Sequence, residues 1–367
     1  MSILVTGVQG FIGKNLLVRL REQGFDDIIE CDRSHTFEQL KPKLSEVDFV
    51  FHLAGVNRPK KESEFFSGNL DLTQKLLDEL MRIGRYIPVV LSSSIQAQFS
   101  NPYGESKALA EEAVLKYQEK CGAPVYIYRL PNVFGKWCKP NYNSVIATFC
   151  HNIVNDFPIT IHDESSKLHL VYIDDVCNAF IGLLKKKQAS GFVNISPLFD
   201  TTVGEVANLL RSFKVSRESL LINDVGIGFT RALYSTYLSY FNPEQFVYSI
   251  PSYADERGSF SEMLKTSKSG QFSFFTANIG ITRGGHYHHS KNEKFLVIKG
   301  SARFKFEQII TGERYSLDVD SSNLQVVETV PGWSHDITNI GQEELIVMLW
   351  ANEIFDRESP DTFTRPL

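Results

Sequence analysis

Three histidines lie within four positions of the segment RGGHYHHSKNEKFLVIKG, residues 283–300. Successive side chains of a β-strand point to opposite faces, so we expect His286 and His288 to share one face. Glu293 follows after a turn, and His335 comes from the later segment VPGWSHDITN. Three imidazoles and a carboxylate suit borderline divalent ions such as zinc, manganese or iron. We therefore predict that these four side chains bind one divalent ion, with zinc as the expected metal.

A glycine-rich turn near the start of the chain has the composition of a dinucleotide-binding loop. Gly7, Gly10 and Gly13 lie in ILVTGVQGFIG, between an expected strand and an expected helix. Glycine lets the backbone approach a pyrophosphate, whose charge the helix N-terminus stabilises. The next strand ends at Asp32, which could accept from a ribose 2′-hydroxyl, and Arg33, which could pair with a 2′-phosphate. We expect NADP(H), with NAD as the alternative cofactor.

A tyrosine and a lysine farther along the chain have the spacing of a proton-transfer pair. Tyr103 and Lys107 in SNPYGESK lie four residues apart, which places them on one face of a helix. An ammonium group beside a phenol lowers the pKa of the phenol, so we expect Tyr103 to exchange a proton near neutral pH. A serine at the end of the preceding strand could hydrogen-bond the same substrate oxygen. We assign this role to Ser94, with Ser93 as the alternative.

The elements that would position these residues change type along the chain. In the first two-thirds, β-branched runs such as ILVTG and DFVFHLAG alternate with helical segments such as GESKALAEEAVLKYQEKCG. This alternation indicates a parallel sheet with helices on both faces. From Phe246, short segments of high β propensity follow one another between turns, which indicates an antiparallel barrel or jelly roll. We therefore predict an α/β Rossmann domain over residues 1–243 and an all-β domain over residues 244–367.

Composition excludes several classes of function. The 367 residues suffice for two domains, and the net charge of −5, without a basic block, argues against nucleic acid or an anionic membrane as a partner. No apolar run is long enough to span a bilayer. The strand pattern begins at Ile3 and leaves no room for a signal peptide, so we expect a cytoplasmic protein. The 5 scattered cysteines contain no CxxC pair and are expected to be reduced thiols.

Several of these motifs together resemble the extended short-chain dehydrogenase/reductase family, over about residues 1–240. TGVQGFIG resembles its glycine loop, HLAG its strand-four motif and YGESK its catalytic helix, while RLPNVFG and VYIDDV resemble motifs of its nucleotide-sugar members. The resemblance implies a catalytic set of Ser94, Tyr103 and Lys107. The cofactor-binding residues that it implies are Gly7, Gly10, Phe11, Ile12, Gly13, Asp32, Arg33, Leu53, Ala54, Gly55, Tyr103 and Lys107.

The same resemblance narrows the reaction. Members of the family that dehydrate sugars carry an adjacent Asp-Glu pair just after the catalytic serine or threonine. Ile95 and Gln96 stand at the corresponding positions, and neither side chain can act as an acid or a base. Reduction or epimerisation is therefore favoured over dehydration. Asn132, in RLPNVFG, is expected to bind the substrate.

The later part of the chain resembles the cupin family. The pattern G-x5-H-x-H-x4-E-x6-G from Gly280 to Gly300 resembles the first cupin motif, and PGWSHDITN resembles the second. DERGSFSE and RGGHYHH also resemble cupin 3,5-epimerases of nucleotide-linked 4-keto-6-deoxy sugars, in which the histidine matching His286 removes a proton beside a ketone. His286 is therefore either a ligand or a base. Arg257 and Glu262 are expected to contact the sugar or its diphosphate, with a plain strand salt bridge as the alternative.

The two resemblances imply successive steps on one chain. The cupin domain would epimerise C3 of a UDP-2-acetamido-2,6-dideoxy-4-hexulose, and the reductase domain would then reduce its C4 ketone with NADPH. This pairing resembles bacterial capsule and O-antigen enzymes of UDP-N-acetyl-L-fucosamine synthesis, which implies a homodimer. The main alternative is a redox-sensing Rossmann domain joined to a ligand-binding cupin, without turnover, although a sensor would not need Tyr103 and Lys107. A cupin dioxygenase is a third reading, and it would require iron and oxygen consumption.

Overall fold

The computed structural model describes residues 1–186 and 188–367. These residues divide into two compact units, the first of Met1–Leu210 with Arg231–Phe241 and the second of Arg211–Thr230 with Asn242–Leu367. The chain thus enters the second unit at Arg211, returns to the first at Arg231 and enters the second again at Asn242. The predicted domain boundary after residue 243 does not account for the segment Arg211–Thr230, and this boundary stays a prediction.

The first unit is built on a parallel sheet. Its strands are β1 (Ile3–Thr6), β2 (Ile28–Cys31), β3 (Phe49–His52), β4 (Val89–Ser94), β5 (Val125–Leu130), β6 (Asn132–Phe134), β7 (Lys167–Tyr172), β8 (Gly191–Phe192) and β9 (Phe199–Thr202). The parallel sheet has the order β2-β1-β3-β4-β5-β8, and β6, β7 and β9 form a separate small sheet. This order agrees with the strand-helix alternation in the sequence.

Helices connect these strands and cover the parallel sheet. They are α1 (Phe11–Glu22), α2 (Phe37–Leu40), α3 (Ser63–Phe65), α4 (Leu72–Ile83), α5 (Pro102–Cys121), α6 (Val145–Val154), α7 (Ile173–Lys185), α8 (Val203–Ser219) and α9 (Gly228–Leu238). The division between the two units falls inside α8 and α9. Across residues 1–186 and 188–367, none of the helices is both long enough and apolar enough to cross a membrane.

Both faces of the parallel sheet are buried, as its strand sequences require. In β1, Ile3 and Val5 pack in a core shared with α1 and α7, whereas Leu4 packs on the other side in a core shared with α4 and α5. A strand covered on both faces needs apolar residues at consecutive positions, and this is why ILV shows no polar alternation. We therefore expect the polar side chains of a functional site at the carboxyl ends of these strands.

The second unit is dominated by two antiparallel sheets. Its strands are β10 (Leu221–Ile222), β11 (Tyr253–Asp255), β12 (Gly258–Thr266), β13 (Gly270–Ala277), β14 (Thr282–Tyr287), β15 (Glu293–Lys299), β16 (Ser301–Gln308), β17 (Arg314–Asp320), β18 (Val326–Glu328), β19 (Trp333–Asn339), β20 (Leu345–Ala351) and β21 (Phe363–Thr364). One sheet has the order β10-β12-β13-β20-β15-β18, with β11 paired to β12, and the other has the order β17-β16-β19-β14-β21. Only the short pairing of β10 with β12 is parallel among the described pairs of these sheets.

One apolar core joins the two sheets of the second unit. Phe275 and Phe295 come from the first sheet, and Phe304 and Ile337 come from the second. Alternate residues of each strand enter this core, which is the pattern of a half-buried antiparallel strand. The predicted fold class, an α/β Rossmann half followed by an all-β half, is confirmed.

Candidate active site

A cleft of about 1170 Å³ opens at the carboxyl ends of β1 to β5 in the first unit. Parallel α/β sheets bind their ligands in this place. Every residue that the sequence assigned to the cofactor, to hydride transfer or to substrate in this half lines the cleft. These residues are Gly7, Gly10, Phe11, Ile12, Gly13, Asp32, Arg33, Leu53, Ala54, Gly55, Ser94, Tyr103, Lys107 and Asn132.

The glycine loop packs so closely against neighbouring backbone that a side chain at Gly7 would not fit. Gly7 has a φ of +74°, and a Cβ at this position would lie 2.7 Å from the backbone nitrogen of Ala54. The loop after β1 therefore packs directly on the loop after β3. Gly10 caps α1 without a side-chain hydrogen bond, and the first turn of α1 contains no acidic residue. The free N–H groups and the positive end of the helix are suited to a pyrophosphate.

Asp32 and Arg33 follow β2 at the edge of the cleft. Asp32 Oδ1 accepts from the backbone N–H of Ser34 at 2.8 Å and from its hydroxyl at 2.6 Å, and it lies 3.0 Å from His35 Nδ1. The hydrogen bonds with Ser34 are the main reason that the pKa of Asp32 is lowered. The carboxylate is thus occupied within its own turn, whereas the exposed Arg33 side chain lines the cleft.

A buried histidine in the HLAG motif fixes the loop that follows β3. His52 Nδ1 lies 2.8 Å from the hydroxyl of Thr6, and its Nε2 lies 2.8 Å from the hydroxyl of Thr73. Thr6 in turn accepts from the backbone N–H groups of Leu53 and Ala54, each at 3.2 Å. Burial, with a smaller effect of the Lys107 charge, lowers the pKa of His52 to about 3, so the ring is neutral. The role of His52 is structural, and the sequence analysis did not assign it.

Ser94, Tyr103 and Lys107 converge beside this loop. Ser94 ends β4 and forms a side-chain hydrogen bond with Tyr103, which lies in the first turn of α5. Lys107, one turn later on α5, is buried, and its ammonium donates to the carbonyl oxygen of Ser92 at 3.1 Å. The helix thus presents the phenol and the ammonium toward the same strand end, as the four-residue spacing predicts.

The alternative serine points elsewhere. Successive residues of a strand face opposite sides, and Ser93 is buried, donating to Glu111 at 2.5 Å. Glu111 also accepts from Arg129 through two guanidinium nitrogens, at 3.0 and 2.7 Å. Ser93 therefore lines the cleft but donates its hydroxyl to a structural network, whereas Ser94 is the serine that contacts Tyr103.

The protonation behaviour of the pair differs from the sequence-based expectation. Burial raises the pKa of Tyr103, and the hydrogen bond with Ser94 only partly offsets that effect. The predicted lowering of this pKa by Lys107 is therefore wrong. The reason is that Lys107 is directed to a carbonyl oxygen, and its own burial lowers its pKa to about 8. The phenol of Tyr103 is thus protonated near neutral pH.

Glycine in the YGESK motif allows α5 to begin close to the end of β4. A Cβ on Gly104 would lie 2.2 Å from the carbonyl oxygen of Gln96, which belongs to the short helical turn Ile95–Gln98. This close approach lets the turn after Ser94 pack directly against α5. The role of this glycine could not be predicted from the sequence, because the contact exists only in the folded turn.

The second unit contains the predicted histidine cluster. His286, His288, Glu293 and His335 each offer one ligand atom, and these atoms lie within 4.8 Å of one another. His286 in β14 pairs directly with His335 in β19, and Glu293 is the first residue of β15. His288 lies just past the end of β14, one residue beyond the observed strand, and its ring still packs against that of His286 at 5.0 Å. Two sheets thus contribute to one cluster.

The two oxygens of Glu293 have different neighbours. Oε2 lies 3.3 Å from His288 Nε2 and 3.4 Å from His335 Nε2, whereas Oε1 lies 2.9 Å from the buried ammonium of Lys291. Burial alone would raise the pKa of Glu293, but the contacts with these three side chains hold it well below its usual range. Burial and the neighbouring His335 lower the pKa of His286 to about 4, so this ring is neutral near pH 7.

These side chains fit a divalent ion. Both ring nitrogens of His335 are buried without a hydrogen-bond partner of good geometry, although buried polar atoms are rarely left in that state. Glu293 Oε2 faces the histidines, while Lys291 occupies the other carboxylate oxygen. The cluster therefore offers three imidazole nitrogens and one carboxylate oxygen, a donor set that zinc accepts.

Two other predicted residues pair locally. Arg257 Nη2 lies 2.5 Å from Asp255, two positions before it, and Glu262 lies 2.8 Å from Lys265. Arg257 and Glu262 thus each form a local salt bridge, which is the alternative that their sequence left open. The structure does not bring either residue into the histidine cluster, whose members are the three histidines and Glu293.

Two residues beside the cluster, Lys291 and Asp361, were not predicted from the sequence. Lys291 lies two positions before Glu293, and nothing in the spacing distinguishes it from a surface lysine. Asp361 is 73 residues from His288, yet its carbonyl oxygen lies 2.5 Å from His288 Nδ1. Contacts over such a separation leave no local pattern, so only the fold reveals them.

Comparison with known families divides the chain in the same way. Residues 3–196 match the NAD dependent epimerase/dehydratase family, and residues 253–363 match the Polysaccharide biosynthesis C-terminal domain. The first match contains the glycine loop and the Ser94–Tyr103–Lys107 set, and the second contains the histidine cluster.

Individual relatives extend over the whole chain. A UDP-2-acetamido-2,6-beta-L-arabino-hexul-4-ose reductase of Pseudomonas aeruginosa is 53% identical over 364 residues, covering 99% of this chain and 98% of the relative. The crystal structure of the capsular polysaccharide assembling protein CapF from Staphylococcus aureus is 41% identical, with a TM-score of 0.92 and 100% of both chains covered. UDP-glucuronic acid 4-epimerase from Bacillus cereus, with 19% identity and a TM-score of 0.55, shares the fold over 65% of this chain and 99% of its own.

Proposed function

This chain belongs to the NAD dependent epimerase/dehydratase family, and from that premise we propose that it reduces a UDP-linked 4-keto sugar after epimerising it. The proposed substrate is a UDP-2-acetamido-2,6-dideoxy-4-hexulose, which the all-β half epimerises at C3 and the α/β half reduces at C4. The product is the corresponding L-talose derivative, a precursor for capsule or O-antigen L-FucNAc. The observation that carries the proposal is the joint presence of the glycine loop and the Ser94–Tyr103–Lys107 set in one cleft.

The reduction uses residues at the carboxyl end of β4. Bound NADPH would supply the hydride that adds to C4 of the keto sugar. Ser94 hydrogen-bonds the ketone oxygen, and the phenol of Tyr103 donates a proton to the alkoxide that develops there. The raised pKa of Tyr103 keeps this proton in place until the oxygen becomes basic. Lys107 contributes a positive charge that stabilises the phenolate left behind.

The side chains after Ser94 favour reduction over dehydration. Ile95 and Gln96 line the cleft beside Ser94, where elimination would need an acid and a base. The apolar and amide side chains have no proton to exchange at neutral pH. Asn132 at the start of β6 lines the same cleft and is proposed to contact the substrate.

Arg33 is proposed to select NADP(H). Its side chain lines the cleft, while the neighbouring carboxylate of Asp32 is occupied by Ser34 and His35. A guanidinium can bind a phosphate through two parallel hydrogen bonds, which gives it an advantage over a neutral hydroxyl partner. This arrangement supports NADP(H) as the preferred cofactor, with NAD still able to occupy the glycine loop.

The epimerisation is proposed to take place at the histidine cluster of a cupin domain, within residues 244–367. Loss of the C3 proton beside the ketone gives an enolate, and return of a proton to the opposite face inverts C3. A divalent ion bound by the cluster would polarise the ketone oxygen. His286 is neutral, so its lone pair serves either as an ion ligand, as we propose, or as the base for C3 in the metal-free alternative. Arg257 and Glu262 are proposed to contact the sugar or its diphosphate.

The proposal is tested by NADPH oxidation with an enzymatically prepared UDP-2-acetamido-2,6-dideoxy-4-hexulose. We expect stoichiometric oxidation and a product with inverted C3 and a hydroxyl at C4. Binding of NADPH without oxidation would contradict the proposal and favour a redox-sensing protein. A homodimer and a cytoplasmic location stay predictions, to be checked by scattering and by fractionation.

A further inference from the structure

The carboxylate of Asp361 holds the turn between His288 and Glu293. Its Oδ1 accepts from the backbone N–H of His289 at 2.9 Å. Its Oδ2 accepts from the backbone N–H groups of Ser290 and Lys291, at 2.7 and 2.8 Å. One carboxylate therefore fixes the short connection between two members of the histidine cluster.

Asp361 also contacts the ring of His288 through its main chain. The carbonyl oxygen of Asp361 lies 2.5 Å from His288 Nδ1, so this nitrogen donates the hydrogen bond. The other ring nitrogen, Nε2, then faces Glu293 Oε2 at 3.3 Å. When one imidazole nitrogen donates to a fixed oxygen, both the ring orientation and the nitrogen available to a metal are determined.

The segment that carries Asp361 is anchored independently of this contact. In β21, Thr364 pairs with His286 and Phe363 pairs with Tyr287. Arg365 donates from its backbone to the carbonyl of Gly285 at 2.7 Å, and its guanidinium lies 2.7 Å from Glu307. The anchors give Asp361 a fixed position from which to hold the turn, so a change at its side chain need not release the whole segment.

We propose that Asp361 is a positioning residue for the histidine cluster. It acts through the turn 289–291 and through His288, presenting His288 Nε2 and Glu293 Oε2 to the same point. The inference rests on the proposed divalent-ion site, since it assigns Asp361 a role in ion affinity and geometry. Partners that orient metal-bound histidines typically contribute about tenfold to a hundredfold to affinity.

The test is zinc affinity, measured on the full chain by competition with a chromophoric chelator. In Asp361→Ala we expect the zinc dissociation constant to rise by about tenfold to a hundredfold, and in Asp361→Asn by less, because the amide keeps one acceptor oxygen. Asp320→Ala is the matched control. Asp320 also closes a turn, accepting from the backbone N–H groups of Ser322 and Asn323 at 2.7 and 3.3 Å, but it does not contact the cluster.

A purely structural cap and a positioning residue give different results. A structural role would lower the melting temperature of the metal-free protein, as in Asp320→Ala, and leave zinc affinity and the visible spectrum of the cobalt-loaded protein unchanged. Positioning changes both affinity and spectrum. Zinc affinity equal to wild type in Asp361→Ala, or in Asp361→Asn if the alanine variant does not fold, would overturn this inference alone. Wild-type protein that takes up no zinc would overturn the ion site, and the role of Asp361 with it.

Discussion

The two candidate sites of this chain differ in how far apart their residues lie in the sequence. In the α/β half, the cleft consists of loops that directly follow strands, so the residues of each motif are neighbours in sequence as well as in space. In the all-β half, the cluster is assembled from β14, β15 and β19, and a residue from beyond β20 orients it. The first site relies on backbone shape, and the second relies on side chains brought together by strand pairing.

The electrostatics of the two sites differ in the same way. The cleft contains a buried lysine, Lys107, and its burial lowers its pKa to about 8. The cluster contains a buried carboxylate, Glu293, and its neighbours lower its pKa and keep it ionised despite its burial. A lysine with a lowered pKa next to a protonated phenol suits transient proton transfer. A carboxylate that stays ionised despite its burial suits a bound cation. The comparison predicts that each site can be disabled without the other.

Glu293→Gln should have the largest effect, and it should be confined to the all-β site. The amide supplies no anionic ligand and leaves Lys291 buried without its carboxylate partner, so zinc should be lost and solvent deuterium should stop entering C3. NADPH oxidation should persist with a keto sugar that already has the inverted C3 configuration. Glu328→Gln, which alters an exposed salt bridge with Lys294, is the control and should change neither activity.

Two outcomes of this experiment would assign a different role to the ion or to His286. If Glu293→Gln lowers the melting temperature while C3 exchange continues at a residual rate, the ion has a structural role. If metal analysis finds no stoichiometric ion in the wild-type protein, His286 becomes the metal-free base of the epimerisation.

Tyr103→Phe should produce the reverse pattern. Loss of the phenolic proton should lower kcat for NADPH oxidation by about 10²–10⁴-fold, whereas NADPH binding and C3 exchange should be retained. Tyr86→Phe, at a tyrosine that is 74% exposed, is the control and should behave as wild type. Undiminished NADPH oxidation in Tyr103→Phe would refute the assignment of the Ser94–Tyr103–Lys107 set.

Much of this contrast follows from what a sequence can encode locally. The glycine loop, the strand ends and the four-residue spacing of Tyr103 and Lys107 were predicted because each is fixed by contiguous backbone geometry. The raised pKa of Tyr103 was not predicted. The direction of this pKa shift depends on where the Lys107 ammonium points and on how deeply both groups are buried. The four cluster residues were predicted from strand alternation and the cupin motif, whereas Asp361 required knowledge of how β21 pairs.

The pH dependence of reduction should reveal the buried cation. The pKa of Lys107 in the folded protein is lowered to about 8, so its positive charge is present below that pH and lost above it. The pKa of Tyr103 is raised, so the phenol stays protonated in this range. We expect kcat/KM for NADPH to fall about tenfold per pH unit above this pKa. Lys107→Met should have a low, flat profile, and a wild-type profile that stays flat up to pH 10 would contradict the assignment.

Arg33→Ala should have the smallest effect, limited to cofactor choice. Loss of the guanidinium should lower kcat/KM for NADPH by about tenfold, the scale of one charged hydrogen bond, and leave kcat/KM for NADH unchanged. Arg21→Ala, at a surface arginine paired with Glu30, is the control. The same preference between the two cofactors in wild type and Arg33→Ala would refute the role of Arg33.

Deuterium labelling distinguishes a chain that carries both an epimerase and a reductase from a chain that catalyses one step. The wild-type protein is incubated in D2O with the UDP-linked 4-keto sugar, first without NADPH and then with it, and the sugar is analysed by mass spectrometry and NMR. We expect one deuterium at C3 before NADPH is added, and after its addition an L-talose product with deuterium at C3 and protium at C4. Reduction without deuterium at C3, or exchange at C3 without NADPH oxidation, would contradict the claim that both steps occur on this chain.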